Sequence, residues 1–462
     1  MATTQINPFL DGNFAPVHEE ISTNTLQVIG ELPPDLSGMF VRNGPNPQWK
    51  PIGQYHWFDG DGMLHGVRIS NGKATYRNRY VRTKGWKIEN EAGKALWSGL
   101  LEPVQMDNPH GPTKNVANTA LVWHAGQLLA LWEAGVPYAI KVPELKTIGE
   151  HTYDGKLVSA MTAHPKVDPL TGEMMFFGYG FAPPYLQYGV VSPQGELLQT
   201  EPIDIPTAVM MHDFAITEDY TIFMDLPLIY NTKSKKRVEM KFERDKPSRF
   251  GIVPRYGNNS NIRWFETPAC YVFHTLNAYE EDDEVVLIAC RMNSTSVLGS
   301  LDSQPDPEAG IPRLYQWRFN LSTGKVSEEM LDDVPSEFPR INENLLGQKT
   351  RYGYTGKLPK DQLVFDGIIK YDFKTGRSQT HEFGKGRYGG ESVFAPRPNA
   401  KAEDDGWLVT FVHDTTKETS ELVVVSAQDI TAKPIARVII PQRVPYGFHG
   451  AWVSEEQLRA SV

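Results

Sequence analysis

The sequence has little cysteine, little concentrated positive charge and no long apolar run. Two cysteines, Cys270 and Cys290, stand among 462 residues. That is too few for a disulfide framework or a thiolate metal cluster, and both read as buried thiols in a reducing compartment. No stretch reaches the roughly 20 apolar residues that a membrane-spanning helix needs. Met1 to Asn13 also lacks the charged-then-apolar pattern of a secretory signal. The net charge is -10, and without a basic block no nucleic-acid partner is expected. The densest basic run, Lys233 to Arg237, reads as a solvated loop. These absences describe a cytoplasmic protein, with peripheral membrane contact left open.

Long amphipathic helix patterns are scarce too. Short runs rich in β-branched and aromatic residues alternate with turn residues. Leu121 to Trp123 and Leu128 to Trp132 form a predicted hairpin turning at His124 to Gln127. Val285 to Cys290, Leu314 to Phe319, Ile368 to Phe373, Trp407 to Val412 and Glu421 to Val425 are further predicted strands. Turns such as Asn71-Gly72, Thr171-Gly172, Gln194-Gly195, Thr323-Gly324 and Thr375-Gly376 recur between them, where glycine supplies the positive φ of a tight turn. Repeated strand–turn–strand units over this length suggest an all-β protein, a β-propeller. The competing architecture is a pair of β-sandwiches. No Gly-, Ser- or Pro-rich linker divides the chain, which favours one domain over residues 1–462, with an N-terminal arm over about 1–35.

Among twelve histidines, four stand beside apolar or small-residue runs: His164, His212, His274 and His449. Any one histidine taken blindly is more often a core or loop residue than a ligand. Their spacing argues otherwise. Intervals of 48 and 62 residues separate the first three, and His449 follows after 175. Successive blades are about 40–50 residues long, so inner strands can carry all four to one axis. The others show no such pattern: His124 falls in a turn, and His413-Asp414 reads as a loop. Four neutral imidazoles without thiolate or carboxylate leave a metal its full charge, which points to oxygen chemistry.

Several motifs, in order, resemble the carotenoid cleavage oxygenase family, nearest to its plant and cyanobacterial members. They are Val41-Arg42-Asn43-Gly44-Pro45-Asn46-Pro47, Phe58-Asp59-Gly60-Asp61-Gly62-Met63, Thr162-Ala163-His164-Pro165, Met211-His212-Asp213-Phe214, Phe273-His274-Thr275-Leu276-Asn277 and Phe448-His449-Gly450. The resemblance spans about Asn7 to Trp452. It implies a seven-bladed propeller capped by loops and short helices. It also implies one Fe(II) per chain held by His164, His212, His274 and His449. By the same resemblance Glu133, Glu337 and Glu391 support His212, His274 and His449 respectively, and Thr119 crowds one coordination position. Each glutamate could instead be an exposed loop residue; the apolar neighbours of Glu133 argue most strongly for burial.

The implied reaction is oxidative cleavage of a C=C bond in a carotenoid or apocarotenoid, with O2 and an apolar polyene as substrates. Phe181, Pro183, Pro184, Tyr185, Phe448 and Trp452 are the expected apolar lining. Stilbene cleavage is the competing reaction. Stilbene cleavers hold a phenol with a lysine just before the first supporting glutamate and with an upstream tyrosine. This chain has Trp132 and Leu100 there, which favours a long apolar substrate. A non-catalytic binding scaffold and a polyene isomerase are further alternatives. The ligands and glutamates together argue against the scaffold, and the plant and cyanobacterial likeness against the isomerase. Leu226 to Tyr230 is a candidate membrane patch, with a buried strand end as the plainer reading.

Overall fold

The computed structural model describes residues 7–232, 238–295, 308–359 and 364–461. Lys233 to Arg237 lie outside these residues. Seven antiparallel sheets form the blades of a propeller, as the sequence implies, and one two-stranded ribbon is inserted into the fourth. The innermost strands are Gly450–Ser454 in blade 1, Ala120–His124 in blade 2 and Lys166–Val167 in blade 3. Ala215–Ile216, Tyr271–Glu281 and Ser336–Arg340 take that place in blades 4, 5 and 6, and Val393–Pro396 with Arg387–Gly389 in blade 7.

The ring is closed by both ends of the chain. Gly450–Ser454 pairs with Gly38–Arg42 at the inside of blade 1, and Val28–Gly30 pairs with Ala436–Ile440 at the outside of blade 7. Both ends of the chain are thereby paired into blades, so the ring has no open seam, and a propeller leaves only short, protected edges. The predicted hairpin is present as Ala120–His124 and Gln127–Leu131. Its turn residues Ala125 and Gly126 both have positive φ, 47° and 77°, which matches the right-handed twist of the flanking strands. One expectation fails here. His413 lies within the strand Gly406–Asp414, buried and bonded through Nδ1 to Ser420 Oγ at 3.2 Å, not in a loop.

Strands within the blades such as Glu284–Met292 and Gly406–Asp414 are covered on both faces and read as apolar runs, whereas outer strands such as Lys146–Glu150 alternate or are exposed. Side chains still alternate between faces. Trp407, Val409 and Phe411 pack toward blade 1, while Leu408 and Val412 pack toward blade 6. The same rule corrects the expectation for Trp452. It faces the blade 1–blade 7 core, over Gly38, while Ala451 and Val453 face blade 2. Leu226 and Leu228 are buried between blades 4 and 5, so the candidate membrane patch is core.

Leu287 is fully buried in that core, whereas Leu198 is 52% exposed. Leu287→Ala is expected to lower unfolding free energy by about 2–5 kcal/mol, and Leu198→Ala by less than about 0.5 kcal/mol. Denaturant titration checks both; equal effects would contradict this packing.

Candidate metal centre

His164 and His212 sit in loops just before the inner strands of blades 3 and 4. His274 lies within the inner strand of blade 5, and His449 directly precedes that of blade 1. Local geometry aims them. The His164 backbone N–H donates to Thr162 Oγ1 at 3.0 Å. Register shifts between Val272 and Asn277 bulge the strand around His274, and bulges re-aim side chains. His449 is tied on both sides: its N–H donates to Thr119 O at 3.1 Å, and its carbonyl accepts from Asn43 N at 3.0 Å. Asn43 also reaches Ala117 O at 2.8 Å, so the Val41 to Pro47 motif joins blade 1 to the loop carrying Thr119.

The ligand nitrogens of the four histidines lie within 4.8 Å of one another. The His164 and His212 Nε2 atoms are 3.0 Å apart, and the His212 and His274 Nε2 atoms 3.2 Å. With metal–nitrogen bonds of about 2.1 Å, neighbouring ligands of an octahedral ion lie about 3.0 Å apart, those of a tetrahedral one about 3.4 Å. The two observed edges fall in the range that a four-nitrogen metal site spans.

The Nδ1 atoms face outward to carboxylates. His212 meets Glu133 Oε2 at 2.8 Å, His274 meets Glu337 Oε2 at 2.7 Å, and His449 meets Glu391 Oε1 at 3.0 Å. Each carboxylate fixes the tautomer that leaves Nε2 with a lone pair toward the centre. Every blade contributes: four give a histidine, and blades 2, 6 and 7 give the glutamates. Burial of these glutamates runs opposite to expectation. The Glu133 side chain is 19% exposed, that of Glu337 10% and that of Glu391 2%. Glu133 lies just past its strand, where the cavity reaches it.

Burial and the neighbouring imidazoles hold His164 well below its ordinary value. His274 is lowered likewise by burial, then by His449 and His212. For His212 burial is outweighed by Glu133, which raises it. Burial pushes Glu337 up to about 8. Burial opposes ionisation of Glu391 too, but Arg340 and His449 bring it down to about 2. Opposite shifts of Glu337 and Glu391, two carboxylates in similar roles, point to a site and not to a surface cluster.

Sequence reasoning missed three supports. Asp213, buried beside His212, accepts from Lys166 Nζ at 2.8 Å and from Thr275 N at 2.8 Å, tying blades 3, 4 and 5 together. Arg340 is 3.6 Å from Glu391. Phe338 holds a positive φ of 52°, with its ring 4.6 Å from that of His449. The signal for Asp213 and Arg340 was a charged residue one to three positions from a site residue; nothing in the sequence marked Phe338.

His212, His274 and His449 open into a cavity of about 1030 Å³, at the upper end for ligand sites. Leu100, Trp132, Phe181 and Phe448 line it, as do Phe273 and Phe338. Tyr185 does not; it packs in the blade 3–blade 4 core. Pro183 and Pro184 are exposed and Trp452 is turned away, so these four are corrections to the expected lining. Thr119 also lines the cavity, with Oγ1 2.9 Å from Asn118 Oδ1. Asn118 Nδ2 donates to the carbonyls of Phe58 and Gly60 at 2.9 and 2.7 Å. Its Oδ1 is therefore the acceptor, and the Thr119 hydroxyl hydrogen is committed to it. The glycine motif makes this possible: a Cβ on Gly62 would lie 2.3 Å from Ala117 O.

The retinal pigment epithelial membrane protein family matches residues 14–454. The chain belongs to this family, the carotenoid cleavage oxygenases. It is 45% identical to carotenoid 9,10(9′,10′)-cleavage dioxygenase 1 of Arabidopsis thaliana, covering 98% of this chain and 90% of that protein. It is 36% identical to a carotenoid cleavage oxygenase of Mycobacterium tuberculosis, covering 96% and 97%. Among solved structures, Pseudomonas brassicacearum lignostilbene dioxygenase superposes with a TM-score of 0.91 at 32% identity, covering 97% and 98%. Cobalt-substituted Synechocystis apocarotenoid oxygenase follows at 0.85 and 29%, covering 95% and 97%.

His212→Ala is expected to abolish stoichiometric metal binding. Glu133→Gln is expected to weaken it about 10–100-fold while the fold survives. Metal content after dialysis against graded chelator measures both; full retention in either variant would remove that residue from the centre.

Proposed function

We propose that this oxygenase uses Fe(II), bound by His164, His212, His274 and His449, to cleave a C=C bond of a carotenoid or apocarotenoid. Both atoms of O2 end in the products, so one C=C bond becomes two carbonyl groups. The single observation that carries the reading is a cluster of four histidine nitrogens beside a large, mostly apolar cavity that three of them, His212, His274 and His449, line. Iron supplies the activation of dioxygen; the chain supplies position and dryness. Glu133, Glu337 and Glu391 hold the imidazoles in one tautomer. Thr119, its hydroxyl committed to Asn118, lines the cavity with His212, His274 and His449, where its methyl would restrict access to the ion they would hold. No side chain needs to move a proton.

Substrate choice rests on Leu100 and Trp132. The Leu100 backbone is fixed by its N–H to Asp59 Oδ1 at 2.9 Å, and both side chains wall the cavity. Neither offers an acceptor for a phenol hydrogen, Leu100 being apolar and Trp132 having only an indole N–H donor, and a polar group buried without a partner costs about 1–3 kcal/mol. Stilbene cleavage is the second reading, favoured by the close superposition on the lignostilbene dioxygenase. Among the described residues no helix is long and apolar enough to cross a membrane. Ile52 and Phe181 line the cavity and are 39% and 57% exposed, which supports peripheral lipid contact where a polyene is taken up.

Incubation of the Fe(II)-loaded enzyme with carotenoids, apocarotenals and resveratrol is expected to give aldehyde or ketone fragments from the polyenes alone, identified by mass spectrometry. Chelation should stop the reaction and Fe(II) restore it. Rapid resveratrol cleavage with inert polyenes would replace this reading with the second. Ile52→Ser with Phe181→Ser should reduce co-sedimentation with phospholipid vesicles; unchanged sedimentation would remove the lipid contact.

A further inference from the structure

The three supporting carboxylates use their second oxygens differently. Glu391 Oε2 accepts the Gly450 backbone N–H at 2.8 Å. Glu337 Oε1 is buried without a partner, because Oε2 takes both His274 and the Phe338 N–H, the latter at 2.6 Å. Glu133 Oε1 accepts the Tyr179 hydroxyl at 3.0 Å, and the Tyr179 oxygen lies 3.2 Å from that of Tyr230. Both tyrosines line the cavity. Tyr230 stands on the ribbon Leu228–Tyr230, inserted into blade 4, with the Phe181 ring packed edge-on at 4.9 Å.

The directions of these bonds are fixed by chemistry. An ionised carboxylate only accepts, so Tyr179 spends its one hydrogen on Glu133. Tyr230 must then donate to Tyr179. Burial, and then the Glu133 charge, hold both phenols far above their ordinary value, so both keep their hydrogens. The chain runs Tyr230 to Tyr179 to Glu133, with His212 Nδ1 donating from the other side. Glu133 is also the most exposed of the three carboxylates, and its bond to His212 faces the most competition from water. A second anchor matters most there.

We propose that Tyr179 and Tyr230 are positioning residues that lock Glu133, and through it His212, at the metal centre. The inference rests on the metal-centre reading and is independent of which polyene is cleaved. Co(II) serves as the probe, because its visible absorption reports ligand geometry and it can be titrated against a competing chelator. Tyr179→Phe is expected to weaken Co(II) binding about 5–10-fold, the low end for residues behind a ligand, and to shift the absorption bands. Tyr230→Phe should weaken it about 2–3-fold, since the Tyr179–Glu133 bond survives. In a Glu133→Gln background, Tyr179→Phe should cost nothing further, because coupled residues are non-additive. Unchanged affinity and spectrum in Tyr179→Phe, or a full additional loss in the double variant, would overturn the proposal. Wild-type protein that takes up no Co(II) would overturn the metal centre itself, a result distinct from both.

Discussion

Four imidazole lone pairs directed at one point inside apolar protein repel one another, and a cation at that point is what reconciles them. The rest of the structure serves that convergence. Three histidines are held by carboxylates from other blades, so their tautomers follow from tertiary contacts and not from local sequence. The buried charge of those carboxylates is tolerable only in a network. Arg340 serves Glu391, two tyrosines serve Glu133, and Glu337 leans on a backbone N–H beside a left-handed Phe338. A cation among the four nitrogens favours the ionised form of all three.

The propeller explains how so many distant residues can meet. Each blade brings one inner strand to the axis, and the apolar faces between blades fix the spacing. Strand ends and bulges near the axis then present side chains inward without disturbing those faces. Closure by Gly450–Ser454 beside Gly38–Arg42 matters to the site as well as to the fold, since His449 leads directly into that closing strand. The candidate ligand His449 and the closing strand thus share one peptide segment.

The proposed choice of substrate falls to a different set of residues. Leu100 and Trp132 wall the cavity where a phenol-binding relative would need polar groups. On the proposed reading their influence is negative: they offer no acceptor to a phenol hydrogen and give packing to an apolar chain. The Asp59 carboxylate that fixes Leu100 belongs to the same glycine motif that lets Asn118 approach and orient Thr119. One glycine-containing turn thus sets both a wall of the cavity and a residue, Thr119, that lines it with the histidines. Its glycines are there for close backbone approach.

By itself the sequence determined the strands, the turns and the residues that carry the chemistry. Each is encoded locally: β-branched runs make strands, glycines make tight turns, and histidines at blade-length spacing stand out against a cysteine-poor background. The order of motifs added the three glutamates and Thr119. Tertiary structure alone decided which way side chains face. Trp452 looked like cavity lining beside His449, but strand alternation turns it into the blade 1–blade 7 core. Tyr185 is likewise drawn into packing between blades, and Glu133 proves the least buried of its set. Tyr179 and Tyr230, fifty-one positions apart, meet only because an inserted ribbon folds back over blade 3. Alternation of faces and the meeting of remote strands are properties of the closed ring, and a local stretch of sequence cannot carry them.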